Sequence, residues 1–484
     1  MPHPSGPVVG FDLDMTLVDT RARITTSLRA TLAGVGVHVS DDDVWPFIGP
    51  PLTQTLAALA PGHDIEPLVA SYRARHDAPD APPVPALPGA ADALAAVHRH
   101  GGRTVVVSAK ITHAVEAVLE QSGLANQVDT AVGGLFGADK GVALRETGAS
   151  VYVGDHPGDV AGARAAGAFA VAVPTGPHSA DELREVGADV VLPDLHAFGG
   201  WLEGYLLDQR LDALAERLTS LQSVLVAFSG GADSALLLAA AVRTLGPQHV
   251  AAATGVSGSL AGTELDDART FAAELGVRLL TPKTHEIERE GYRANAGDRC
   301  YHCKSELLDV LTPLAEAHGL AHVATGTNAD DEVAGFRPGI RAAAERGAVT
   351  PLLDAGLTKA QVRAASRAWG LPTWDKPAAA CLSSRVAFGT PVTREGLARV
   401  EAAEAGLRDA LTGAGIAVRD LRVRDLGADR ARVEVDADRA ADVAASTRAL
   451  ELVRAAGFAE VEVDPKGFRS GSMNELLVEP ERFR

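Results

Sequence analysis

Cys300, Cys303 and Cys381 are the only cysteines in the chain, and the first two form a C-x-x-C pair. So few thiols cannot build a disulfide framework. A structural zinc site wants four ligands, and His302, enclosed by the pair, is badly placed to supply the fourth beside Cys381. Three cysteines suit sulfur or iron–sulfur chemistry better. In D-R-C-Y-H-C-K, a helix opening near Asp298 carries Cys300 and Cys303 at i and i+3 on one face, with Lys304 one turn beyond Cys300. Such a face holds two thiolates and a cation together. Cys381 arrives separately, in the Pro- and Ala-rich loop L-P-T-W-D-K-P-A-A-A-C-L-S-S-R, followed by Ser383, Ser384 and Arg385.

A second set of residues suits phosphate. The apolar run VLVAF leads into Ser229-Gly230-Gly231-Ala232-Asp233-Ser234 and then a helix. Glycines let backbone amides approach an anion, Ser229 and Ser234 add hydroxyl donors, and the helix N-terminus favours negative charge. The G-K-[ST] ending of a Walker loop is absent. Farther on, H-V-A-T-G-T-N-A-D-D puts Thr327 and Asn328 at another strand end as nucleotide contacts, while Asp330 and Asp331 either assist a metal or cap a helix. Arg422 and Arg424 are two apart on a strand, hence on one face, and suit a mononucleotide phosphate. Arg385 is a further candidate for that phosphate or for pyrophosphate.

A third set lies near the start. Strand VVGF ends in Asp12-Leu13-Asp14-Met15-Thr16, so two carboxylates leave the carboxyl end of a strand, where α/β folds bind ligands. One carboxylate can attack phosphorus, the other can act as acid and base, and together they can hold magnesium. Strand RTVVVS ends at Ser108, an exposed hydroxyl for a phosphate oxygen; Lys140 can neutralise the same phosphate; SVYVGD ends at Asp155, with Asp159 four residues on. A phosphomonoesterase needs that set.

Two strand-and-helix patterns must position these residues, one opening at 8–11 and one at 223–228, with Gly199-Gly200 read as a breaker and a boundary near 205. After about residue 390 the order becomes αββαβ, a small two-layer unit. The expected fold is α/β: two successive doubly wound parallel-sheet domains, 1–200 and 205–390, followed by a small α+β domain at 391–484. The composition is that of a globular protein, with 46% hydrophobic residues and a net charge of −18, of which residues 1–200 carry −11. No basic stripe offers a nucleic-acid footprint. The N-terminus has no basic and apolar leader pattern, and no apolar run reaches membrane-spanning length, so a cytoplasmic protein with no membrane partner is expected.

The first module resembles the haloacid dehalogenase superfamily in its motif order, with a small helical cap at about 19–85. The resemblance implies Asp12 as nucleophile, Asp14 as general acid and base, Ser108 and Lys140 as phosphate holders, and Asp12, Asp14 and Asp155, with Asp159, around Mg2+. Met15 stands where that family often has glycine. S-G-G-A-D-S is similar to the loop of PP-loop ATP pyrophosphatases, adenine nucleotide alpha hydrolase-like enzymes that adenylate an oxygen. Taken with R-C-Y-H-C-K, G-F-R-P-G-I-R-A-A, P-L-L-D-A-G-L-T-K, W-D-K-P-A-A-A-C-L-S-S-R and G-F-R-S-G-S-M-N, residues 215–484 resemble the LarE family. That resemblance implies an ATP-dependent sulfur transferase of nickel-pincer nucleotide biosynthesis, acting on pyridinium-3,5-biscarboxylic acid mononucleotide, with Cys381 and Lys304 catalytic and the nucleotide on Ser229, Gly230, Gly231, Asp233, Ser234, Thr327 and Asn328. In one route of that family the cysteine matching Cys381 gives up its own sulfur; in the other, three cysteines hold a [4Fe-4S] cluster bearing an extra sulfide. All three cysteines are present, so the cluster is expected, with the sacrificial route as the alternative. ATP, Mg2+ and small-molecule substrates are the expected partners, in a homo-oligomer. The rival functions are tRNA thiolation and a first module that serves only as a scaffold.

Overall fold

A computed structural model of the chain describes residues 6–333, 338–377 and 381–469. Parts of three quoted segments, 335–337, 378–380 and 470–474, lie outside the described residues. The chain divides into two compact units between Leu206 and Leu207.

The first unit is built on a six-stranded parallel sheet, β1 (Val8–Phe11), β2 (Arg103–Val107), β3 (Thr130–Val132), β4 (Val151–Gly154), β5 (Phe169–Ala172) and β6 (Val190–Val191), in the order β3-β2-β1-β4-β5-β6. Its central strands are unbroken apolar runs because helices cover both faces. In this strand order the direction of winding reverses between β1 and β4, which opens a crevice at their carboxyl ends. Helices Arg21–Ala33, Leu52–Leu59 and Ile65–His76 form a cap with its own core of Ile24, Leu28, Leu32, Ile48 and Leu56. Met15 belongs to that cap core and adopts φ of 61°. A left-handed non-glycine residue costs roughly 1–2 kcal/mol, which burial of the methionine side chain offsets.

The second unit opens on a four-stranded parallel sheet, β7 (Val224–Ala227), β8 (Val250–Ala253), β9 (Arg278–Leu280) and β10 (His322–Ala324), ordered β10-β7-β8-β9. Here the winding reverses between β7 and β10. Helix Ala232–Leu245 after β7 is apolar almost all round and buries every residue from Ser234 to Ala241, as a helix at the centre of a layer must. The αββαβ segment forms a third sheet, β11 (Leu421–Asp425), β12 (Arg430–Val435) and β13 (Glu460–Val463), with β11 antiparallel and β13 parallel to β12. Its core includes Tyr292 and Leu382 from the preceding region.

Gly199 and Gly200 do not break the chain. They lie in the first turn of helix Phe198–Leu221, where buried Phe198 and Leu202 anchor that turn in the core of the first unit. The second helix of the αββαβ segment is two helices, Ala440–Ala445 and Thr447–Ala455, with the Ser446 side chain capping the latter. No helix among the described residues is long and apolar enough to cross a membrane.

Candidate active sites

In the first unit the crevice between β1 and β4 gathers carboxylates from both strands. One carboxylate oxygen each of Asp12, Asp155 and Asp159 lies within 4.8 Å of the others, and all three residues are buried. Lys140 Nζ stands between two of them, 2.6 Å from Asp12 Oδ1 and 2.7 Å from Asp159 Oδ1, and donates to the Tyr152 hydroxyl at 2.9 Å. Tyr152 OH in turn donates to the Val107 carbonyl at 2.8 Å. Thr16 Oγ1 donates to Asp155 Oδ1 at 2.9 Å. Gly154 permits this crowding, because a Cβ there would stand 2.3 Å from the Asp159 carboxyl. Ser108 directly follows β2 and is buried, where the sequence reading expected an exposed hydroxyl.

The Asp14 carboxylate is not in the three-carboxylate group. Lys110 Nζ donates to both of its oxygens at 2.8 and 2.9 Å, so the Asp14 carboxylate is engaged by a lysine outside that group. Asp159, which the sequence reading set beside Asp155, completes the group with Asp12 and Asp155. Lys110 carries no motif signal, and its partner is distant in sequence.

Charge defines what this crevice accepts. Burial, and then the neighbouring carboxylates, push the Asp155 carboxyl well above the usual range. Asp12 is pushed up to about 7 by burial, with Lys140 opposing. Burial works against the Lys140 ammonium, yet Asp12 and Asp159 hold its pKa well above the ordinary value. Ionised together, three carboxylates against one ammonium would leave two negative charges uncompensated, the deficit a divalent cation fills.

In the second unit a cavity of about 950 Å³ is lined by Ser229, Asp233, Ser234, Thr327, Cys300, Cys303, Lys304 and Cys381 together. The loop after β7 closes on itself through Ser229 Oγ and Ser234 Oγ, 3.2 Å apart. The Gly326 turn after β10 comes so close that a Cβ at Gly326 would stand 2.8 Å from the Ser234 nitrogen. Asn328 Nδ2 donates to Asp233 Oδ1 at 3.1 Å, and Lys359 Nζ pairs with Asp233 Oδ2 at 2.5 Å. Asp330 and Asp331 hold backbone: Asp330 accepts from Lys359 N and Asp331 from Asn328 N. Of the two readings for this pair, the hydrogen bonds match helix capping.

Helix Arg299–Ala317 presents Cys300, Cys303 and Lys304 to the cavity, and Cys381 precedes the short turn Leu382–Arg385. Burial pushes the Cys303 thiol up, followed by the nearby Cys381, Glu286 and Cys300, while burial lowers Lys304. Among the described residues the cysteine sulfurs do not close to the 4.8 Å of a single-ion group. Ligands that each bind a different iron of a cluster stand farther apart than ligands of one zinc, and Lys304 is a cation that acts on the Cys303 thiol.

Arg385 and Arg422 line this cavity, joined by Arg408, which sequence reading missed. Arg424 does not line it. Its guanidinium is buried against Glu434 at 2.8 Å and donates to the Ser384 carbonyl, while Arg385, Arg408 and Arg422 line the cavity. Burial and then Arg385 lower the Arg422 pKa. Arg385 pairs with Glu404 at 2.9 Å and donates to the Cys381 carbonyl at 3.0 Å, fixing the backbone beside that cysteine.

Residues 9–173 match the model of haloacid dehalogenase-like hydrolases. Over 276 residues the chain is 40% identical to the Synechocystis protein slr1717, a match covering 56% of this chain and all of that relative. Over 269 residues it is 35% identical to the pyridinium-3,5-bisthiocarboxylic acid mononucleotide synthase of Lactiplantibacillus plantarum, covering 55% of this chain and 95% of that protein. The chain belongs to the LarE family. Its LarE-type region is preceded by a haloacid dehalogenase-like domain, and that first region is 31% identical over 222 residues to the phosphoglycolate phosphatase of Rhodospirillum rubrum, covering 40% of this chain and 89% of that enzyme.

Proposed function

We propose that the LarE unit is an ATP-dependent sulfur transferase that converts a carboxylate of pyridinium-3,5-biscarboxylic acid mononucleotide into a thiocarboxylate, and that the first unit is a Mg2+-dependent phosphohydrolase. The observation that carries the first half is the shared cavity: the Ser229–Ser234 loop and all three cysteines line one space. A carboxylate oxygen attacks the α-phosphorus of ATP on that loop, pyrophosphate leaves, and a sulfur nucleophile then displaces AMP from the acyl carbon. Asp233, pinned by Lys359 and Asn328, keeps the loop in register. Arg385, Arg408 and Arg422 supply positive charge for the mononucleotide phosphate. Cys300, Cys303 and Cys381 would hold a [4Fe-4S] cluster through three irons, and a cluster held this way supplies an open iron for sulfide.

In the first unit, Asp12 attacks phosphorus while Asp14, held by Lys110, passes a proton to the departing alcohol; water that gives its proton back to Asp14 then cleaves the phospho-aspartate, releasing phosphate and restoring the Asp12 carboxylate. Asp12, Asp155 and Asp159 would hold Mg2+, which supplies charge neutralisation at the phosphoryl oxygens.

Incubation with ATP and the biscarboxylate is expected to yield AMP and pyrophosphate together with a product in which sulfur replaces oxygen; ADP and phosphate as products would exclude adenylation. Protein purified without oxygen is expected to carry iron together with acid-labile sulfide at least equal to it. A colourless protein that loses one sulfur per turnover would instead assign the donated atom to Cys381.

A further inference from the structure

The carboxylate proposed to react is one of two on the pyridinium ring. Adenylation removes the charge of the carboxylate that attacks ATP, but its twin keeps a full negative charge throughout. Taking that charge out of water into the LarE cavity is unfavourable unless a cation meets it. Most cations on the cavity wall are already engaged. Arg299 donates to the Asn295 side chain and the Ser383 carbonyl, Arg385 pairs with Glu404, and Arg422 donates to the Leu421 carbonyl at 2.7 Å.

Lys304 differs. It lines the cavity from helix Arg299–Ala317, directly after Cys303 and one turn beyond Cys300. No hydrogen bond or ion pair holds it among the described residues, and the one ionisable group that acts on it is the Cys303 thiol. Arg408 also lacks a partner, but it is exposed on helix Arg394–Gly413, whereas Lys304 is half-buried beside the cysteines. The two carboxylates are related by the symmetry of the ring about the line from its nitrogen to the opposite carbon. Turning the ring over on a fixed phosphate exchanges them, so one cation opposite the reacting position serves whichever carboxylate reacts.

Resting on the sulfur-transferase reading, we propose that Lys304 holds the carboxylate that is not being activated, and so makes the cavity select a ring with two carboxylates over a ring with one. A charge-assisted bond to an ammonium that has no other acid partner is a strong discriminator.

The test measures ATP–pyrophosphate exchange by the full-length protein with Mg2+, a readout of adenylation that needs no sulfur. The substrates are pyridinium-3,5-biscarboxylic acid mononucleotide and its 3-carboxylate counterpart, which shares the ribose phosphate and the reacting group. The wild type is expected to favour the biscarboxylate in kcat/KM by about tenfold or more. Lys304→Met is expected to bring that ratio close to one, Lys304→Arg to retain part of it, and Arg408→Gln to lower both substrates alike. Equal values for the two substrates in the wild type would overturn the inference even if no variant folds. So would an unchanged ratio in Lys304→Met, which would put the lysine at the ATP or at the reacting group. Exchange with neither substrate is a different result and would remove the sulfur-transferase reading itself.

Discussion

At the residue scale, the two sites differ in how much their sequence spacing disclosed. D-x-D at the end of β1 and D-x-x-x-D at the end of β4 announce a carboxylate crevice, because short spacing at a strand end survives folding as proximity. Lys110, Thr16 and Tyr152 gave no such signal, since their partners Asp14, Asp155 and Lys140 meet them only through the sheet. Lys140→Met is expected to lower the stability of the first unit by about 3–5 kcal/mol in metal-free buffer, because it leaves the Asp12 and Asp159 carboxylates buried without their cation; chemical denaturation checks this. The same charge deficit sets a pH dependence. Asp12, pushed from 3.8 up to about 7, and Asp155, also raised, hold protons in the folded chain that the unfolded chain releases. The contribution of these two carboxyls to the stability of the metal-free unit is therefore fully present below about pH 4 and is lost as pH rises toward 7. Mg2+ should raise its melting temperature more at pH 8 than at pH 5, and an equal rise at both would contradict the assignment of the three carboxylates as its ligands. Asp12→Asn is expected to reduce phosphate-ester hydrolysis by about a thousandfold or more, read from initial rates.

At the element scale, the proposed nucleotide site is made by two strand ends that meet where the winding of the second sheet reverses. Gly326 sets how closely they meet, since any side chain there would press on the Ser234 nitrogen. Gly326→Ala is expected to weaken ATP binding about tenfold, consistent with an overpacking cost of roughly 1–3 kcal/mol, while circular dichroism stays unchanged; calorimetric titration with ATP measures it. Both parallel sheets were legible from their apolar runs, and helix Arg299–Ala317 from the C-x-x-C face it had to present. The Gly199-Gly200 reading went the other way. Two glycines are poor helix residues, but Phe198 and Leu202 bury on either side of them and the core prevails over propensity. Arg424 shows a related limit: its place on the same strand face as Arg422 was visible, but the buried Glu434 that takes its guanidinium was not.

At the scale of the whole molecule, the division between Leu206 and Leu207 separates two units that each bury a core and each hold one candidate site. The relatives of the LarE region match over 100% and 95% of their own lengths, without a counterpart of the first unit. Residues 207–484 expressed alone are therefore expected to retain ATP-dependent sulfur transfer, and residues 1–206 to retain phosphate-ester hydrolysis; insolubility or inactivity of both pieces would show that neither unit stands alone. What joins the two chemistries into one account of the LarE half is the position of Cys381 on the ATP cavity. Wild-type and Cys381→Ala proteins, handled without oxygen and given ATP and pyridinium-3,5-biscarboxylic acid mononucleotide, test it most directly by mass spectrometry of the product. Both should release AMP and pyrophosphate while only the wild type replaces oxygen by sulfur, and a wild-type yield of thiocarboxylate from Cys381→Ala would contradict the account.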